Sequence, residues 1–205
     1  AHMIAKLKKN SVLLAQNLTD EFSQSAFRPR DFELAIGADG IKPLASPLGD
    51  GACARFVGTI DRVDTYEADG KVYVRVVDYK TGKKEFRQDY LRLGLDLQML
   101  LYLFSIWENG KERYGGEIVP AGVLYLGAGT PSIAAPVPKN EAEKKELLQR
   151  QIRRSGILCD NASVLRAMEP ALDGKFIPVS CNKDGSFSKS SPVESIEQFG
   201  QLRAQ

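Results

Sequence analysis

Between two runs of alternating β-branched and aromatic residues, Phe56 to Thr65 and Val72 to Tyr79, stands the dipeptide Asp69-Gly70. A two-residue type I′ turn needs positive φ at both central residues, and Asp-Gly meets that need at little cost, so the stretch from Arg55 to Gly82 predicts a tight β-hairpin. The turn fixes the register. With Asp69 and Gly70 in the loop, Ala68 faces Lys71 and every facing pair has numbers summing to 139, that is 68 + 71. Asp64 then faces Arg75 and Tyr66 faces Tyr73, an ion pair and an aromatic pair of the kind that stabilise antiparallel ladders. Asp61 comes to lie opposite Asp78.

Side chains alternate along a strand, so Lys80 shares a face with Asp78, Asp61, Val63, Val72, Val74 and Val76. Facing residues have Cβ atoms roughly 4.5–5.5 Å apart, and two carboxylates at that separation repel unless a cation sits between them. A hard, oxygen-seeking ion such as Mg²⁺, with Mn²⁺ as a substitute, meets the need. The Lys80 ammonium beside it is suited to orienting water or stabilising charge that develops on a phosphate. The plainer explanation makes Asp61 and Asp78 strand-end residues facing solvent or basic partners. For an isolated D…DxK pattern that explanation is preferable; the facing register counts against it here.

The segments GTIDRVD, VVDYKTG and LQMLLYL, in that order, resemble the RecB-type nucleases of the PD-(D/E)XK superfamily, and among them the C-terminal nuclease domains of AddB, the second subunit of bacterial AddAB helicase-nucleases. The likeness extends loosely from about Phe32 to the C-terminus. It implies a restriction-endonuclease-like α/β fold, a mixed sheet flanked by helices. By the same resemblance Asp61 is the first metal-binding aspartate, Asp78 the second and Lys80 the catalytic lysine. Gln98 and Tyr102 match a glutamine and a tyrosine on the following helix, and the Tyr79 backbone carbonyl is a further metal ligand. The resemblance also implies DNA as substrate, an AddA-like partner subunit, a role in DNA break repair and recombination, and a cytoplasmic location. Family members carry a histidine or acidic ligand on a helix before the sheet, and AddB proteins hold an iron–sulfur cluster. Neither ligand set is recognisable here, since Cys53, Cys159 and Cys181 lack cluster spacing. The expectation is a fragment of a longer chain.

At 205 residues and 43% hydrophobic content the chain can bury one sizeable core. One domain is expected over residues 4–205, after an Ala1-His2-Met3 cloning scar, with a core at about 32–130 and a C-terminal extension at about 131–205. Lysine and arginine number 28 against 26 acidic residues, so any DNA contact must come from a local patch. Three cysteines form no even disulfide framework, which suits a reducing compartment. No transmembrane span or signal peptide is visible. With His2 in the scar no native histidine remains, which excludes Ser-His or Cys-His catalysis within the chain.

Taken in order, Ile4 to Gln24 reads as an amphipathic helix ended by Pro29. Asp31 to Ile36 reads as a strand, and the Gly-Pro punctuation through Gly51 leaves room for one irregular strand. Glu33 resembles a family glutamate near the sheet; pairing an arginine and holding metal are equally open to it. Lys83, Lys84, Arg87 and Arg92 cluster beside Lys80, as a phosphate-binding patch or simply a solvated turn. Leu91 to Trp107 should be a buried helix with Asn109-Gly110 as its stop. Gln98 and Tyr102, four apart on it, need polar partners, either at the metal site or on the backbone. Val119 to Leu126 reads as a strand. Asn140 can cap a helix running to about Ser155, with Gly156 as its stop and Arg150, Arg153 and Arg154 as a solvated basic end. A short helix at Ala162 to Met168, a hairpin on Asp184-Gly185 and a last helix with a Ser191-Pro192-Val193-Glu194 capping box complete the reading.

Three functions compete. A metal-dependent exodeoxyribonuclease follows from the facing aspartates and the resemblance. A DNA-holding module of the same fold that no longer cleaves follows from the missing N-terminal ligand. A phosphohydrolase of small substrates is weakened by the lack of a Gly-rich phosphate loop or a His-rich cluster.

Overall fold

The computed structural model describes residues 2–37, 39–80, 97–127, 140, 143, 152 and 154–204. Helix α1 (His2–Gln24) leads into β1 (Arg28–Ile36), a small hairpin of β2 (Ala45–Gly49) and β3 (Ala52–Arg55), and the long hairpin of β4 (Gly58–Ala68) and β5 (Lys71–Lys80). Then come α2 (Gln98–Asn109), a single turn α3 (Lys111–Tyr114), β6 (Glu117–Gly127), β7 (Ser155–Cys159), α4 (Ala162–Met168), β8 (Val193–Glu194) and α5 (Ile196–Ala204). Six strands form one sheet in the order β1-β4-β5-β6-β7-β8. Its β5–β6 and β7–β8 pairs are parallel and the others antiparallel, giving the mixed sheet expected.

The long hairpin has the expected register. Asp69 and Gly70 both take positive φ, 53° and 73°, and the ladder runs from Ala68↔Lys71 through Asp64↔Arg75 to Arg62↔Val77. Tyr66 stacks on Tyr73 at 6.0 Å between ring centroids. The strand begins at Gly58 rather than Phe56, and Phe56 and Val57 are exposed ahead of it.

Helices cover both faces. On one, α1 packs with Phe22 over the Arg62 guanidinium and Glu21 bonded to Arg75, and α4 joins it where Ala167 O accepts the Ala26 N–H at 2.7 Å. On the other, α2 lies across β5 and β6 and buries Met99, Leu100, Leu103, Phe104 and Ile106. Phe199 of α5 meets Phe104 edge-on at 6.4 Å. Val63, Val74, Val76, Val77, Val123 and Leu124 are fully buried between these layers. Central strands covered on both faces are for that reason nearly continuous apolar runs. The edge strand β1 is tied to α3 by Asp31, which accepts from Arg113 and from the Tyr114 hydroxyl at 2.8 Å. The Arg113 hydrogen bond holds the Asp31 carboxyl below its usual range, while burial and Asp31 push the Tyr114 phenol up.

Four expectations need correction. Residues 45–55 hold two paired strands, not one irregular strand. Ser155 and Gly156 belong to β7, which pairs with β6, so the expected helix cannot run to Ser155; at its start Asn140 Oδ1 does accept the Glu143 N–H at 2.8 Å, and most of the span between lies outside the described residues. Arg154 is not solvated: it is 2% exposed and paired inside the protein. Finally, Val193 and Glu194 form β8, and the capping box sits one step later. Ser195 N–H donates to Gln198 Oε1 at 2.8 Å and Gln198 N–H to Ser195 Oγ at 3.2 Å, a reciprocal cap for α5. The short helix Ala162–Met168 lies where expected, capped by Asn161, and residues around Asp184-Gly185 make a tight turn closed by the Cys181↔Phe187 bridge.

Candidate active site

The β4–β5 ladder ends one step before Asp61 and Asp78. Continuing its register places the two aspartates opposite each other, beyond the last paired residues Arg62 and Val77. In place of a further ladder bond, Asp61 Oδ2 accepts the backbone N–H of Tyr79 at 2.7 Å. The Lys80 ammonium lies 2.7 Å from Asp78 Oδ2 and 5.8 Å over the ring of Tyr125, which is the β6 partner of Asp78. Asp61, Asp78 and Lys80 thus meet at the end of the sheet face that α2 covers.

Tyr102 and Gln98 join from α2. Gln98 Nε2 donates to the Tyr102 hydroxyl at 2.8 Å, and that hydroxyl packs on Gly58, three residues before Asp61. A Cβ at Gly58 would stand 2.0 Å from Tyr102 Oη, so only glycine lets the tyrosine approach the strand this closely. The polar partners expected for the pair are the metal site or the backbone; the bond made among the described residues is to each other. Glu33 is exposed with φ 51°, and its neighbours' pairings, Phe32↔Arg62 and Leu34↔Ile60, put it opposite Asp61 on the other side of β4. Lys83, Lys84, Arg87 and Arg92 lie outside the described residues.

The donor set suits a hard cation. Asp78 Oδ2 is buried and accepts no hydrogen bond of good geometry among the described residues, its contact with Lys80 being ionic only. Asp61 spends one carboxylate oxygen on Tyr79 N–H, and among the described residues no hydrogen bond is made to the other. Mg²⁺ is commonly held by one or two carboxylates, with water and substrate phosphates completing the shell, and this arrangement offers that number. Among the described residues no group of three or more His, Cys, Asp or Glu side chains gathers around one point.

On the opposite face of the same two strands lies a feature that periodicity did not disclose. Arg62, Asp64, Arg75, Glu21 and Arg154 are all buried, Arg62 at 1% and the pair Asp64 and Arg75 at 0% exposure. Arg62 grips Asp64 with Nε and Nη2 at 2.8 and 3.0 Å. Arg75 reaches Asp64 at 2.8 Å and Glu21 at 2.7 Å, and Arg154 bonds Glu21 and, at 2.9 Å, Asn17. Burial opposes ionisation of Glu21, but the charges of Arg75, Arg154 and Arg62 outweigh it and hold the carboxyl below its usual range. The same balance, with Asp64 and Glu21 prevailing over burial, raises Arg75. The one buried carboxylate described on α1 therefore serves this network and not the Asp61–Asp78 site. The signal available in sequence was an acidic residue, Glu21, among the apolar positions of α1, with Arg62 and Asp64 two apart on one strand face.

The chain matches the PD-(D/E)XK nuclease superfamily over residues 2–181 and belongs to that superfamily. It is also similar to the B subunits of ATP-dependent helicase/deoxyribonucleases: 38% identical over 192 residues to that of Symbiobacterium thermophilum, 33% over 205 residues to that of Clostridium tetani, and 32% over 189 residues to that of Acetivibrio thermocellus. These alignments cover 91%, 98% and 91% of this chain but 16%, 18% and 16% of the relatives. The chain thus spans less than a fifth of the length of the curated relatives it matches. Among the described residues no helix is long and apolar enough to cross a membrane.

Proposed function

We propose that this chain is the DNA-cleaving domain of a bacterial helicase-nuclease, a metal-dependent exodeoxyribonuclease acting in the cytoplasm on strands delivered during break repair and recombination. The observation that carries the reading is the end of the β4–β5 ladder, where Asp61 accepts the Tyr79 N–H just past the last pair Arg62↔Val77 and Asp78 is ion-paired with Lys80. Similarity to the B subunits of helicase/deoxyribonucleases supports DNA as substrate and an AddA-like partner. An iron–sulfur cluster, if the whole protein holds one, would take ligands from outside this chain, because Cys53, Cys159 and Cys181 are free and no three ligand side chains gather among the described residues.

Asp61, Asp78 and the Tyr79 carbonyl would hold Mg²⁺ or Mn²⁺. A divalent ion there supplies charge neutralisation at the scissile phosphate and lowers the pKa of water. Asp61, fixed by Tyr79 N–H, and Asp78 set the position of that charge. Lys80 carries a cation on the same face and stabilises negative charge as it grows on the phosphate oxygens. Gln98 and Tyr102 present an amide and a hydroxyl from α2 toward the strand end, suited to hold a phosphate oxygen in place. Lys83, Lys84 and Arg87, next along the chain, are proposed to receive the neighbouring phosphates.

The deciding experiment replaces Asp78 by alanine in the full-length protein with its partner subunit. Cleavage of one strand should fall by about 10²–10³-fold, the usual loss on removing a group that stabilises transition-state charge. Unchanged degradation of both strands would overturn the assignment. A second reading, a DNA-holding module that does not cleave, is favoured by one observation: no third acidic or histidine side chain gathers at the site among the described residues. It predicts salt-sensitive DNA binding that survives Asp61→Ala, and a robust cleavage activity abolished by EDTA would dismiss it.

A further inference from the structure

The network on the α1 face reaches the candidate site through one side chain. Arg62 immediately follows Asp61, and its Nη1 donates to the Tyr79 hydroxyl at 2.6 Å. Its guanidinium also lies 5.6 Å over the Tyr79 ring and 5.2 Å over Phe22, while its Nη2 donates to Asp64 at 3.0 Å and its Nε makes an ionic contact with the same carboxylate. Tyr79 in turn sits between Asp78 and Lys80 and gives its backbone N–H to Asp61. Backbone pairing of the two strands stops at Arg62↔Val77. Beyond that point two bonds join them, both made by Tyr79: its N–H to Asp61 on one face and its phenol to Arg62 on the other.

We infer that Arg62 and the Tyr79 hydroxyl are positioning groups for the metal site, holding the Asp78-Tyr79-Lys80 backbone against Asp61 where the ladder no longer does so. The inference rests on the metal-site reading above. A ligand pair set by two strand ends is only as well placed as the residue that joins them, and here Tyr79 carries the proposed carbonyl ligand as well as the N–H donor to Asp61. Groups outside the ligand shell that orient ligands in this way commonly change metal affinity by about 10–100-fold when removed. Arg62 can do so because it is itself immobile, with one end gripped by a carboxylate that Arg75 also holds. Phe22 and the Tyr79 ring flank the same guanidinium.

Tyr79→Phe removes the hydroxyl and keeps the ring and the backbone. Mn²⁺ binding to this chain without DNA, followed by the free-ion electron paramagnetic resonance signal, should be about tenfold weaker in Tyr79→Phe. With DNA, half-saturating Mn²⁺ should rise by a similar factor while the rate at saturating metal changes little. Asn17→Ala is the control, since it loses the Arg154 bond at the far end of the same network. Its metal affinity should equal that of the wild type. Equal Mn²⁺ affinity in wild type and Tyr79→Phe overturns the inference, and so does an equal loss in Asn17→Ala, which would indicate general loosening. If wild type binds Mn²⁺ and Asp61→Ala does not, the metal-site reading stands whatever Tyr79→Phe shows. If Mn²⁺ affinity is the same in wild type and Asp61→Ala, that reading falls and the inference with it.

Discussion

The two faces of the β4–β5 hairpin both carry charge, and they treat it in opposite ways. On the α1 face three arginines and two carboxylates are sealed from water, and each carboxylate is shared between two guanidiniums. On the α2 face Asp61, Asp78 and Lys80 stand at the rim, where Asp78 and Lys80 are partly exposed and, among the described residues, paired with each other. Ions enclosed among opposite charges serve the fold, because removing one partner leaves a buried charge uncompensated. Ions left with spare valence at the rim are free to serve a ligand. The difference separates mutations that should unfold the chain from those that should silence it.

The largest effect is expected on the sealed face. Glu21→Ala takes from Arg154 its carboxylate partner among the described residues and leaves Arg75 with Asp64 alone, and losing one partner of a buried ion pair costs about 3–5 kcal/mol. Thermal unfolding should show a melting temperature lower by about 10 °C for a chain of this size. A drop under 2 °C would mean that water reaches these guanidiniums and that the face is not sealed.

Next comes the rim. Lys80→Ala should reduce cleavage by about 10²-fold or more with a change in stability below about 1 kcal/mol, since a partly exposed ion pair contributes little to the fold. If the variant lost stability and kept its activity, the roles assigned to the two faces would be reversed.

Titration separates two kinds of carboxylate in the fold. Glu21 and Asp31 have depressed carboxyl pKa values, so their contribution is present above the unfolded value and is lost as pH falls through the folded one. Glu169 behaves in the opposite sense. Burial, and a hydrogen bond shared with Asp173, raise it to about 7, although the N–H groups of Lys175, Phe176 and Ile177 point at it. Its contribution is therefore full below about pH 4.5 and is lost as pH rises through about 7. Melting temperatures of Glu169→Gln and wild type should converge at acid pH and differ by a few degrees at pH 8, with the variant the higher if it keeps the loop bonds. Parallel curves from pH 4 to pH 8 would show that Glu169 stays ionised throughout.

The smallest effect concerns metal and stability together. Asp61→Asn can still accept the Tyr79 N–H, so the metal-free protein should be no less stable than wild type. At millimolar Mg²⁺ the wild type should gain on the order of 1 kcal/mol by mass action, and the variant should gain nothing. Identical metal-induced shifts in the two would remove Asp61 from the cation site.

What could be read in advance divides along the same line. The hairpin and its register, up to the last pair before the aspartates, were legible because a two-residue turn and a period of two are local rules, and Asp69-Gly70 satisfies both. Asp64 against Arg75 followed from that register, but its place in a sealed network did not. Arg154 and Glu21 are 133 positions apart, and nothing in a basic helix-end pattern says that its last arginine turns inward. The shift of the capping box from Ser191 to Ser195 has a local cause: β7 recruits Val193 and Glu194 as its parallel neighbour, so the sheet outcompetes the helix for those residues. Gln98 and Tyr102 were placed on one helix face correctly, but that their first partner is each other depends on Gly58 letting the tyrosine in.

The parallel pairing of β5 with β6 bears on how quickly the chain assembles. The β4–β5 hairpin joins residues a few positions apart and can zip within microseconds, whereas β5 must wait for a strand some 46 residues further on, from Lys71 to Glu117. The Glu21–Arg154 bond must close a loop almost three times longer, and loops of that length close late. The hairpin that carries the aspartates is thus set by the fastest event, and the buried network behind it is completed by one of the slowest. Glu21→Ala should for that reason leave the refolding rate nearly unchanged and act on unfolding, multiplying its rate by most of the lost equilibrium stability.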